Sequence, residues 1–168
     1  MFNIGVKVVL GALVCLLLWH LVRKGDSEEL VVQRRLDSLV GVFQVDKDTG
    51  RLEKASRSKR AASFFAEPLE LVWDENKTME LITTPSELSH QFLSFITQLE
   101  SLQVTLQDLQ IEVDAASGKA EVKLTANILG IILGEGQFFD RHLLRVGFAK
   151  LEDQWLIQRV EHLENLRK

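Results

Sequence analysis

Asp140 and His142 stand two residues apart in "FFDRHLLRVGF", Phe138 to Phe148, a stretch otherwise patterned as an apolar strand face. A carboxylate and an imidazole are suited to proton transfer, because burial and neighbouring charge tune their proton affinities. In a strand, residues of like parity share a face, so Asp140 and His142 lie with Leu144, Val146 and Phe148, while Arg141 and Arg145 point the other way. A two-residue turn at Glu152-Asp153 or Asp153-Gln154 pairs even positions of this strand with odd positions of the next. That register brings Trp155, Ile157, Arg159 and Glu161 onto the same face. The candidate ligand-binding set is therefore Asp140, His142, Arg159, Glu161 and Trp155, with Asp140 and His142 the catalytic candidates; a one-residue bulge would disperse it. Two readings stand. The preferred one is a salt-bridged, hydrated sheet end or dimer edge; the other is a pocket in which Asp140 acts as base or orients His142 on a small hydrophobic molecule.

Other chemistries find little support. His90 sits on a polar helix face, His162 near the chain end and His20 beside an apolar run. There is no H-E-x-x-H, glycine-rich phosphate loop or serine nucleophile elbow. Cys15 is the only cysteine, which excludes an intramolecular disulfide and any zinc site needing two thiolates. No metal and no cofactor is expected. The stretch "RLEKASRSKR", Arg51 to Arg60, is basic and is read as the solvated face of a short helix, with an anionic-lipid or acidic-partner patch as the alternative.

The most apolar segment is at the front. From Gly5 to Val22 only Lys7 is charged, and about eighteen residues at about 1.5 Å each span about 27 Å, near a bilayer's hydrocarbon thickness. Trp19, His20, Arg23 and Lys24 follow as interfacial anchors. No A-x-A cleavage pattern follows the run, so residues 1–25 are expected to be an uncleaved transmembrane helix contacting the bilayer through residues 5–22. A short N-terminus carrying Lys7 fits a signal anchor with the domain outside the cytoplasm, while Arg23, Lys24, Arg34 and Arg35 favour the opposite; the periplasmic or extracytoplasmic side of a cell (inner) membrane is adopted. Without Lys7, Arg23 and Lys24 the remainder keeps 17 of the 20 basic residues against all 24 acidic ones, an unsuitable balance for nucleic acid.

Residues 26–168 read as one domain, since 46% hydrophobic with 26% charged residues describes a foldable globule. Asp26 and Glu29 have capping-box spacing before an amphipathic helix over 27–44 whose inner face is Val32, Leu36, Leu39, Val40 and Phe43. A second helix is predicted from Lys54 to Ala66, with Ala62 and Phe65 facing inward and Pro68 stopping it. "LELVW", Leu69 to Trp73, alternates as a strand, and "DENK" turns. Thr84, Pro85 and Glu87 start a third helix with Leu88, Phe92, Ile96 and Leu99 inside. From Leu102 the period changes to two, giving "LQVTL", "LQIEV", "AEVKLTANI", "FFDRHLLRVGFAK" and "QWLIQRV" as strands of an antiparallel meander. In "LGIILGEG", Leu129 to Gly136, the apolar residues are read as strand core or as an exposed patch meeting a partner or the bilayer.

This order resembles the nuclear transport factor 2-like superfamily, also called the SnoaL-like or cystatin-like cone fold. "LEDQWLIQRVE", Leu151 to Glu161, is similar to its terminal hairpin, with an acidic turn followed by Trp, an aliphatic residue and a basic residue. "SKRAASFFAEPLELVW", Ser58 to Trp73, is similar to its second helix and strand, and "TTPSELSHQFLSF", Thr83 to Phe95, to its third helix. The resemblance covers about residues 27–164. It implies an α+β fold, three helices packed on a curved, mainly antiparallel sheet. It implies no one function, because the fold hosts isomerases, dehydratases, epoxide hydrolases, transport adaptors and secretion-system assembly factors. The chain has no tyrosine, which argues against an isomerase-type phenol oxyanion hole. The expected role is a membrane-anchored binding or assembly domain, as a homodimer or within a membrane protein complex; the alternative is an enzyme or binder of a small hydrophobic ligand.

Overall fold

A computed structural model of the protein describes residues 27–73 and 80–166. The apolar run 5–22, Asp26 and the "DENK" turn lie outside them; among the described residues no helix is long and apolar enough to cross a membrane. The order is α1 (Glu28–Phe43), α2 (Arg51–Ala62), β1 (Phe65–Val72), β2 (Glu80–Thr83), α3 (Pro85–Thr97), β3 (Leu99–Asp114), β4 (Lys119–Ile132), β5 (Gly136–Leu151) and β6 (Gln154–Asn165). The strands form one curved sheet in the order β2-β1-β6-β5-β4-β3, antiparallel except for the parallel β1–β6 pair. This is the expected α+β arrangement, with the helices against the concave face.

Helix α1 buries Val32, Leu36, Leu39 and Val42, so the inner stripe ends on Val42 and leaves Val40 and Phe43 at its margin. Its cap is Ser27, whose Oγ accepts the Leu30 N–H at 3.4 Å. At the far end the chain docks on the edge strand β3. The Gln44 side-chain amide donates to the Val104 carbonyl (2.7 Å) and its carbonyl accepts the Val104 N–H (3.2 Å), while Val45 and Leu102 exchange two 2.8 Å backbone bonds. These contacts satisfy part of an otherwise open sheet edge.

The expected end of the second helix is corrected. It stops at Ala62; Ser63 and Phe64 bond back to Arg60 and Ala61, and Phe65 opens β1 opposite Ile157. Tertiary pairing with β6 overrides the helical periodicity there. Pro68 lies within β1, in the interruption of the β1–β6 ladder between Phe65 and Glu70, where its missing N–H costs no bond. The basic run is not wholly solvated, because Lys54 is buried and its Nζ donates to the Leu99 carbonyl (2.8 Å). Ser58 and Ser89 complete the α2–α3 contact, with Ser89 Oγ donating to the Ser58 carbonyl at 2.9 Å and Ser58 Oγ donating in return to the Ser89 carbonyl. Helix α3 begins as anticipated, with Pro85 in the first turn and Thr84 and Glu87 in a reciprocal capping box (3.2 and 3.0 Å).

Two strands were expected between Leu102 and Val113; one strand of 16 residues is found. Asp108, at φ 55°, marks the register slip between Gln107 and Gln110, a bulge that bends the strand without breaking it. Leu99, expected as the last inward residue of the third helix, is buried but opens β3. The β5–β6 hairpin turns on Glu152 and Asp153, both at positive φ (48° and 64°), as a two-residue turn matching the strand twist requires.

One polar clasp closes the structure at that turn. Glu28, in the first turn of α1, accepts from Lys150 Nζ (2.6 Å) and from the indole N–H of buried Trp155 (2.7 Å). The Lys150 bond first, then the Trp155 bond, hold the Glu28 carboxyl below the usual glutamate range. Folding therefore favours the ionised form; its stabilisation is complete above the unfolded glutamate's pKa and is lost as pH falls through the lower folded value. Urea unfolding across a pH series is expected to show Glu28→Gln less stable than wild type at neutral pH, the two curves converging below the ordinary glutamate range. Parallel curves would contradict the clasp.

Candidate binding cavity and histidine pair

Strand parity sets Leu124, Ala126 and Ile128 of β4 beside Leu144 and Val146 of β5, all turned toward the helices. Opposite them stand Leu36 and Phe43 of α1 and Leu88 and Phe92 of α3. The two walls do not meet: a cavity of about 500 Å³ remains, within the range of small-molecule sites. Ala126 at the middle of β4 leaves the room a larger side chain would take. Among the described residues no charged or hydroxyl-bearing side chain lines it; Trp73, 55% exposed, brings an indole to its rim. A larger depression of about 710 Å³ lies among the charged side chains Glu70, Glu121 and Arg159 and is more open to solvent.

The polar set expected at one end of the sheet does not gather. Pairing runs Phe148 to Ile157 but Gly147 to Arg159, leaving Gln158 as an extra residue, and Leu144 to His162 but Leu143 to Glu164, leaving Leu163. The first bulge reverses the parity of β6. Trp155 and Ile157 stay inside with Phe148, whereas Arg159 and Glu161 move to the outer face with Gly147 and Arg145. There Arg145 meets Glu161 (3.1 Å) and Glu121 (3.4 Å), and Arg159 pairs with Glu70. Trp155 is buried in the Glu28 clasp. Asp140, opposite Ile128, lines a separate open groove with Phe138 and Ile132.

The same reversal brings in a residue the sequence gave little weight. His162 joins His142 on the inner side, with His142 Nδ1 3.2 Å from His162 Nε2. One nitrogen donates and the other accepts, so the two rings share one hydrogen bond. Trp73 stacks on His162 with ring centres 4.5 Å apart and planes at 18°, and meets His142 edge-on at 5.6 Å. His162 is 8% exposed. The two histidine rings pack on Trp73, which lines the rim of the apolar cavity. A lone histidine near the chain end and a tryptophan after a strand carry no local signal for this meeting.

No protein-family model matches the chain, and no curated protein matches it in sequence. Among solved structures it is similar to a proposed scytalone dehydratase from Novosphingobium aromaticivorans, at 11% identity and a TM-score of 0.63 over 83% of this chain and 85% of that one. A proposed dehydratase of the nuclear transport factor 2-like family from Streptomyces avermitilis aligns at 15% identity and a TM-score of 0.61, covering 82% of this chain and 95% of that one. An uncharacterised protein with a cystatin-like fold from Caulobacter vibrioides aligns at 12% and 0.60, covering 84% and 92%. At such identities the likeness establishes the fold, the α+β cone, and nothing about chemistry.

Because His162 is buried and bonded only partly by its stack on Trp73, His162→Ala strands a nitrogen of His142 and opens a void, with an expected loss of about 1–3 kcal/mol in urea unfolding. His162→Phe, which keeps a ring against Trp73, is expected to lose less. Equal losses would show that the hydrogen bond alone matters.

Proposed function

We propose that the domain binds a small apolar molecule inside the cone. The observation that carries this is the cavity of about 500 Å³ whose described walls are apolar throughout. Such a space does not hold water well, since water needs two or more polar partners, and an apolar guest recovers the dispersion contacts its walls otherwise lack. The His142–His162 pair beside Trp73 supplies one polar contact at the rim and orients the guest. Asp140 lies apart in its groove, so the Asp140–His142 dyad is not used. The apolar run 5–22, read as a membrane span, would tether the cone beside the bilayer and raise its effective concentration for membrane-derived molecules.

A second reading is enzymatic. The 3.2 Å contact between His142 and His162 is a proton-transfer geometry at a cavity rim, and two of the similar structures bear the names of proposed dehydratases. Binding is preferred because, among the described residues, no charged, hydroxyl or imidazole side chain lies within the cavity wall.

Photolabelling of the full-length chain with a compact apolar diazirine tests the binding reading. Labels are expected on β4 and β5 around Leu124 and Val146, and are expected to disappear in Ala126→Phe, with Val146→Phe as the second variant should the first fail to fold. Absence of label at those residues, or the same label in both variants, would overturn the proposal. Solvent-deuterium exchange into a carbon-bound position of a cyclic ketone, lost in His142→Asn, would favour the enzymatic reading instead.

A further inference from the structure

Beside the cavity lies an open groove of about 470 Å³, and the two spaces share four wall residues, Phe43, Phe92, Val104 and Ile128. Phe43 and Phe92 meet edge to face between them, ring centres 4.7 Å apart and planes at 61°. Both rings are half-buried, one on α1 and one on α3, and a side-chain rotamer change moves a ring without disturbing backbone hydrogen bonds. The groove differs from the cavity in one respect: among otherwise apolar walls it carries a single charged residue, Asp140. Its floor exists because residue 130 is glycine. A Cβ there would overlap the Phe138 ring, which lies against the Gly130 backbone. Phe95, 43% exposed, forms an apolar lip at its outer margin.

A compact guest would fill the inner cavity and leave the groove empty. An apolar interior that shares the Phe43 and Phe92 rings with a second, largely apolar space carrying one carboxylate has the polarity of an elongated amphiphile. Resting on the binding proposal above, we propose that the ligand is a single-chain amphiphile with a cationic or hydrogen-bond-donating head: its tail occupies the inner cavity, its middle passes between Phe43 and Phe92, and its head sits in the groove at Asp140. A charge-assisted contact with a carboxylate sets the head preference, and the apolar wall of the two adjoining spaces sets the chain preference.

The test uses the full-length chain and two photoreactive hexadecylamines, one with the diazirine at the tail end and one with it next to the amine. The tail-end probe is expected to label Leu124 or Leu144 in the cavity, and the head-proximal probe Ile132 or Phe138 in the groove. The amine is expected to compete about tenfold more strongly than hexadecanoate, a preference lost in Asp140→Asn while labelling persists. Gly130→Ala, which drives the Phe138 ring into the groove, is expected to abolish labelling by both long probes and to leave the compact probe's labelling unchanged; Ile132→Trp serves if that variant does not fold. If both long probes label one space only, or Gly130→Ala spares them, the amphiphile proposal is wrong while binding in the cavity stands. If the compact probe also fails to label the cavity, both proposals fall.

Discussion

The molecule depends on one constraint: every strand of the long meander must turn alternate side chains toward the helices, and the sheet must bend enough to bring them there. Bending is achieved with inserted residues, at Asp108 in β3 and at Gln158 and Leu163 in β6. Each insertion also exchanges the faces of everything beyond it. Curvature and the chemistry of the concave wall are therefore set together, and the extra residue at Gln158 that bends β6 also sends Arg159 and Glu161 outward and His162 inward.

A bent sheet facing three helices encloses more space than its inward side chains fill. At one end Ile96, Leu99, Leu102 and Val45 pack together, where the Lys54 and Gln44 bonds hold α2 and α1 to β3. At the other, Glu28 ties α1 to Lys150 and Trp155. Between these two anchored ends the small Ala126 leaves the wall recessed, and the cavity sits there. The helices cannot sink further onto the sheet without breaking polar contacts at both ends, so the void is held open by the same bonds that secure the fold.

How much of this was legible depended on how local the cause is. The capping box at Thr84 and Glu87, the turn at Glu152 and Asp153, and the alternation along β4 and β5 arise from neighbouring residues and could be read directly. The end of the second helix could not, because Phe65 is claimed by pairing with Ile157, 92 positions away. The candidate site divided in the same way. Asp140 and His142 were correctly given a common face, yet their partners depended on a bulge that no residue type announces. Trp73 follows β1 while His142 and His162 lie in β5 and β6, and the hollow itself is a matter of side-chain volumes summed over eight elements. Patterns of polarity identify a face; they do not say whether the face is filled.

The central claim is that the cone is hollow and dry. A crystal of the protein held under xenon pressure tests it most directly, since xenon enters apolar voids and leaves hydrated ones empty. Xenon density beside Leu124, Ala126 and Val146 is the expected result. Ordered water hydrogen-bonded at that place, or helix side chains packed into it, would contradict the account.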